Sequence, residues 1–225
     1  MDPQRKVISG RVLVAGNRIE AVVRAGQPLP AGFQDAIELE TKGTIYPGLI
    51  ELHNHLSYNV LPLLPITKQY TNRDQWSTGA NYTRQVTGPM KVLSQTTGFL
   101  PAIVRWVECR CLLGAVTTTQ GIALSSNQGI TRYYRGLVRN VEQPGATELP
   151  RAASHIADVD AKDAAKFLAE LKNRSCLLLH LSEGADSKAH DHFAALQMSS
   201  GKWVIVSLLS GIHCVALTSA DFKTL

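Results

Sequence analysis

Three short stretches of this chain carry side chains that bind metal ions and move protons. The first is His53-Asn54-His55, at the end of Tyr46-Pro47-Gly48-Leu49-Ile50-Glu51-Leu52. On a β-strand, residues i and i+2 point to the same face. Glu51, His53 and His55 are therefore expected on one face, with Ile50 and Leu52 on the other. The second stretch is His180-Leu181-Ser182-Glu183, which ends the apolar run Cys176-Leu177-Leu178-Leu179. The third is Gly211-Ile212-His213-Cys214. Imidazole nitrogen is a good ligand for zinc and for ferrous iron. His53, His55 and His180 offer donors for one divalent ion, zinc first and iron second. A catalytic ion of this kind keeps an open position and lowers the pKa of a coordinated water from ~15.7 towards 7. Glu183 is spaced to take a proton and return it to a leaving amine. His213 is placed to polarise a substrate or orient the water. His155 shows no such placement, and His190 and His192 fall off the apolar face of a helix, towards solvent.

The elements that must position these groups read as strands alternating with helices. Val7 to Val14 and Ile19 to Val23 flank Ala15-Gly16-Asn17-Arg18, a hairpin signal. Ala36 to Leu39 reads as a further strand, and Thr44 to His55 as the strand that bears the first histidines. A long irregular excursion from Leu56 to about Gly98 carries Tyr58, Tyr70, Trp76, Tyr82 and Arg84, candidates for substrate contact among which the sequence does not choose. Leu100, Ile103, Val104, Val107 and Cys111 recur at helical spacing over 99–113, which separates Cys109 from Cys111. Strands are expected at Gly114–Thr119 and Arg135–Val141, with a loop through Pro144 and Pro150 after them. Asp160 is expected to cap a helix over 161–173, and Ser187 the helix after it. The run Cys176–His180 has the character of a parallel strand buried on both faces. Strand–helix alternation implies right-handed βαβ units and a parallel sheet, with the ligand residues at C-terminal strand ends, where such folds place their chemistry.

Composition excludes several classes. The chain has 225 residues, 44% of them hydrophobic and 18% charged, the balance of a globular domain. The net charge of +5 is scattered, with no nucleic-acid module. No stretch reaches the ~18–20 apolar residues of a membrane span, and the polar N-terminus is not a signal peptide. The four cysteines, without a C-x-x-C pair, suit reduced thiols in a cytoplasmic protein.

The ordered set of motifs resembles the amidohydrolase superfamily, on its cytosine-deaminase, chlorohydrolase and ATZ/TRZ side. The matching residues are Pro47 to His55, Gly114-Ala115-Val116-Thr117-Thr118, His180 to Gly184, and Gly211-Ile212-His213. Val7 to Leu39 resembles that family's small β-domain, part of a composite β-sandwich in full-length relatives. The resemblance implies an α/β fold: a (β/α)8 TIM-type barrel over 47–225 beside a β-domain segment over 1–46. It implies one metal on His53, His55 and His180, a proton shuttle at Glu183 and a substrate or water contact at His213. The implied activity is hydrolysis of a C–N bond, other than a peptide bond, in a small nitrogenous compound. The alternatives are a chlorohydrolase of a triazine-like ring or a catalytically inactive metal-binding fragment.

Two departures from the family pattern stand out. No strand after His213 supplies the family's strand-end aspartate, and a barrel of this class needs ~250 residues. With Ser219 opening a helix that then stops, an incomplete barrel is expected, and the expected partners besides a small-molecule substrate are a complementing C-terminal fragment or a homo-oligomer. In addition, one strand too few is legible between His55 and His180.

Overall fold

The computed structural model describes residues 6–121, 129–134, 136–155, 164–172 and 175–225. They divide into two compact units, Met1–Gly48 and Leu49–Leu225. In the first, β1 (Gly10–Ala15) and β2 (Arg18–Arg24) pair antiparallel across a two-residue turn at Gly16-Asn17. Gly16 takes φ 59° there, a value that glycine reaches without steric cost. The expected strand at Ala36–Leu39 does not form. Ile37 and Leu39 are 92% and 83% exposed, and no ladder partner lies beside them among the described residues.

The second unit is mixed α/β with parallel strands. One three-stranded sheet holds β3 (Leu49–Ile50), β4 (Val116–Thr119) and β5 (Arg139–Asn140). The other holds β6 (Ala152–His155), β7 (Cys176–Leu181) and β8 (Leu209–His213). The strands run in chain order in both sheets. Ala152 N donates to Val141 O at 2.8 Å, so the first sheet leads into the second. In a flat sheet, β3 and β8 would lie about 24 Å apart. Yet the rings of His53 and His213, just past β3 and at the end of β8, have centroids 5.2 Å apart. The strands therefore curl into an arc with their C-terminal ends drawn together; no closed barrel is formed among the described residues.

β6 is the strand missing from the sequence reading. It lies between the loop through Pro150 and the helix expected from residue 161, and it ends on His155, which is thus at a C-terminal strand end after all. Neither alanine, serine nor histidine favours strands, so Ala152-Ala153-Ser154-His155 gives no local signal. The segment after His55 differs too. It is largely helical: a 3-10 turn over Leu56–Val60, α1 (Asp74–Ser77), α2 (Ala80–Tyr82), a π turn over Thr83–Thr87 and α3 (Gly88–Gln95). Pro89 stands among the first residues of α3, directly after the π turn.

Alternation along β7 fixes which side chains reach the site. Leu177, Leu179 and Leu181 join one core cluster with Ala164, Phe167 and Leu171 of α5 (Ala164–Leu171), Phe193 of α6 (Ser187–Ala194), and Leu196 and Val204 beyond it. His180 therefore takes the opposite face of the strand. A second cluster gathers the stripe of α4 (Phe99–Leu113) with Leu56, Met90, Ile130 and Val138. The residue that caps α6 is Asp186, not Ser187: its Oδ1 accepts from Ala189 N at 2.9 Å. Asp160, the expected cap of the preceding helix, lies outside the described residues. After His213 the chain makes only a 3-10 turn, Asp221–Lys223, rather than a helix capped by Ser219. Among the described residues no helix is long and apolar enough to cross a membrane.

Phe193 is 1% exposed within the cluster that backs His180. Phe193→Ala is expected to cost about 3–5 kcal/mol of stability, read as a lowered urea midpoint with no change in slope.

Candidate metal centre

The regular ladder of β3 ends at Glu51, whose N–H reaches Thr118 O at 2.9 Å. Beyond it a side chain takes over the backbone's role. Gln120, just past β4, accepts from Asn54 N at 3.4 Å and faces His53 Nδ1 at 2.9 Å, both through Oε1. Next to it, Gly121 adopts φ 88° with the Asn54 carbonyl seated against it, leaving no room for a Cβ. His53 and His55 are thus off the strand. Their rings stand 5.0 Å apart at 86° rather than side by side, and Glu51 accepts from Asn54 Nδ2 at 2.8 Å.

The three expected ligands nonetheless converge. His180 is 4.6 Å from His53 and 5.2 Å from His55, centroid to centroid. One donor atom from each of the three fits within 4.8 Å of the others. His55 Nε2 and His180 Nε2 face each other at 3.3 Å. Two nitrogens on a tetrahedral zinc, each at 2.0–2.1 Å, would be roughly 3.3 Å apart, so this pair already has a suitable spacing. Burial, followed by the neighbouring His53, His213 and Arg73, depresses the pKa of His55 to about 4. It is therefore neutral at pH 7, as a metal ligand must be. Its Nδ1 is buried with no hydrogen-bond partner.

His213 completes the ring of imidazoles, 5.2 Å from His53 and 5.3 Å from His180. Its Nε2 lies 3.6 Å from Glu183 Oε2, and Arg73 Nε lies 3.5 Å from the same oxygen. Both distances are too long for good hydrogen bonds. Arg73 escaped the sequence reading because nothing local marks it. It comes to Glu183 because its own N–H donates to Glu183 O at 3.0 Å.

Of the candidate substrate contacts, Tyr58 stands 6.3 Å from His55, and Tyr82 interacts electrostatically with Tyr58, Arg73 and Glu183. Trp76 packs edge-on against Tyr82 at 5.1 Å. Tyr70 and Arg84 find partners in Lys68 and Asn81 instead. His190 is not simply in solvent but meets Asp221 Oδ2 at 3.0 Å. That same oxygen accepts from Thr218 N at 2.7 Å, so Asp221, the carboxylate that follows His213 in sequence, is held by Thr218 and His190. All four cysteines are free thiols; Cys111 is buried, as expected, while Cys109 is exposed.

No protein-family model matches this chain, and no curated protein or solved structure is significantly similar to it.

The depressed pKa of His55 sets a pH dependence. Unfolded, the ring titrates at 6.5; folded, at about 4. The unfolded chain therefore binds the extra proton between these values, and stability present above 6.5 is lost as pH falls towards 4. Metal-free protein is expected to lose up to about 1.4 kcal/mol per pH unit from this group. In urea titrations, the slope over that window should be shallower for His55→Gln than for the unsubstituted chain.

Proposed function

We propose that this chain is a metal-dependent amidohydrolase of deaminase type, acting on a C–N bond, other than a peptide bond, in a small nitrogenous compound. The observation that carries the reading is the meeting of His53, His55 and His180 beside Glu183 and His213. The order and curl of the six parallel strands favour a (β/α)8-type wall, in which C-terminal strand ends carry the chemistry. His53, His55 and His180 are the residues to hold a divalent ion, zinc before iron. When bound, such an ion supplies a Lewis acid and lowers the pKa of a coordinated water.

The other steps belong to the protein. Glu183 takes the proton of the attacking water at Oε2 and delivers it to the departing nitrogen. Arg73 and His213 both approach that oxygen, at 3.5 and 3.6 Å, and help to orient the carboxylate. His213 is also close enough to the three ligands to polarise a substrate oxygen or nitrogen. Tyr58 and Tyr82 offer aromatic surface for a flat heterocycle. A chlorohydrolase of a triazine-like ring would use the same groups and release chloride instead of ammonia. One observation favours an inactive metal-binding chain instead: Asp221 is engaged by Thr218 and His190 and is not part of the cluster of His53, His55 and His180.

The test joins metal analysis with a panel of amino- and chloro-heterocycles, scored for ammonia and chloride. About one zinc or iron per chain is expected, with ammonia released. Glu183→Gln should keep the metal and lose roughly 10²–10⁴-fold in rate. A chain that binds no metal, or a Glu183→Gln variant as active as its parent, would sink the reading. Stoichiometric metal with no turnover on the whole panel would favour the inactive chain.

A further inference from the structure

We propose that Gln120 is a positioning residue: it fixes His53 as the Nδ1–H tautomer and aims Nε2 at the imidazole cluster, and Glu142 holds Gln120 in that orientation. The inference rests on the metal-binding reading only for its consequence, not for its geometry.

Gln120 is 1% exposed, and each polar atom of its amide has partners. Oε1 takes His53 Nδ1 and Asn54 N at 2.9 and 3.4 Å. Nε2 donates to Ser154 Oγ at 2.6 Å and to Glu142 Oε1 at 3.2 Å. Ser154 Oγ in turn donates to Glu142 Oε1 at 2.6 Å. The direction of this chain is set from its far end. An ionised carboxylate only accepts, so the amide must turn its NH2 towards Glu142 and its carbonyl towards His53. A carbonyl also only accepts, so His53 Nδ1 must carry the proton, and the lone pair falls on Nε2. Four consecutive strand ends, from β3 to β6, thus contribute to orienting one ring. The Nε2–H form is the commoner tautomer of a free neutral histidine side chain, so this arrangement works against the intrinsic preference. Partners of this kind on the far nitrogen of a ligating histidine fix its orientation and raise its basicity.

The test reads the tautomer directly. Long-range 1H–15N correlation spectra of the metal-free chain, at about pH 8 where imidazole is neutral, assign the proton on His53. The expected result is Nδ1–H in the unsubstituted protein. Glu142→Gln is nearly isosteric and frees the amide to flip, so a measurable share of Nε2–H should appear. Gln120→Leu should abolish the bias and weaken zinc binding about 10–100-fold in a chelator competition. Nε2–H in the unsubstituted protein, or a tautomer indifferent to both substitutions, overturns the proposal. Nδ1–H that shifts as expected in a chain that binds no zinc upholds the positioning role and overturns the metal reading alone.

Discussion

Four imidazole rings with neighbouring centroids 4.6 to 5.3 Å apart cannot all be charged. Two protonated rings at that distance repel by roughly 3 kcal/mol even at an effective dielectric of about 20. The strand ends can fold together only with most rings neutral, and burial adds to this at His55. Neutral rings still need a partner for each N–H, which is where the polar network becomes necessary. Gln120 meets the need at His53, while Nδ1 of His55 goes without. The crowding is unfavourable for protons and suited to a single divalent cation, because neutral nitrogens turned inward are what a cation requires.

A separate set of contacts ties down the excursion after His55. Residues 71–74 run against 183–188, joined by hydrogen bonds and ion pairs. Ala185 N donates to Thr71 O at 2.7 Å, and Arg73 N to Glu183 O at 3.0 Å. Thr71 Oγ1 and Asn72 Nδ2 both donate to Asp186 Oδ2, at 2.7 and 2.6 Å. Lys188 pairs with Asp74 at 2.8 Å. Asp186 thereby caps α6 with one oxygen and anchors the excursion with the other, and these hydrogen bonds hold its carboxyl below the usual range. The position of Glu183 is consequently set by residues more than a hundred positions earlier.

Legibility from sequence followed the range of the interaction involved. The stripe of α4 was readable over its full span, because helical spacing is local. The apolar run of β7 announced a strand buried on both faces, and so placed His180 at its end. β6 was not readable, since its four residues owe their conformation to ladders with β7 rather than to their own preference. The convergence of His53, His55 and His180 was legible as a set, but not the route to it. The sequence suggested one strand face; the backbone in fact leaves the ladder at Glu51 and hangs on an amide 66 residues further along. Arg73 and Gln120 carry no pattern of their own, and only the folded chain brings them to the site.

Backbone strain is concentrated where the site turns. Among the described residues, five that are not glycine adopt positive φ, and three lie at the ends of β7 and β8: Ser182 at 52°, His213 at 71° and Cys214 at 54°. Such conformations cost of order 1 kcal/mol or more each and persist only where surrounding contacts impose them. Those contacts are visible: Cys214 N donates to Leu181 O at 2.9 Å, and Ala216 N to Ser182 O at 3.3 Å. The turn at Ser182 brings Glu183 back towards the face that bears His180. It needs Gly184 next, because a Cβ there would come within 2.5 Å of Thr71 O and 2.8 Å of Ala189 Cβ. Strand register, the left-handed turn and the tight glycine contact thus act together on one carboxylate. Strain here is therefore part of how the site is built: the left-handed turn at Ser182 lies between His180 and the glutamate that meets His213.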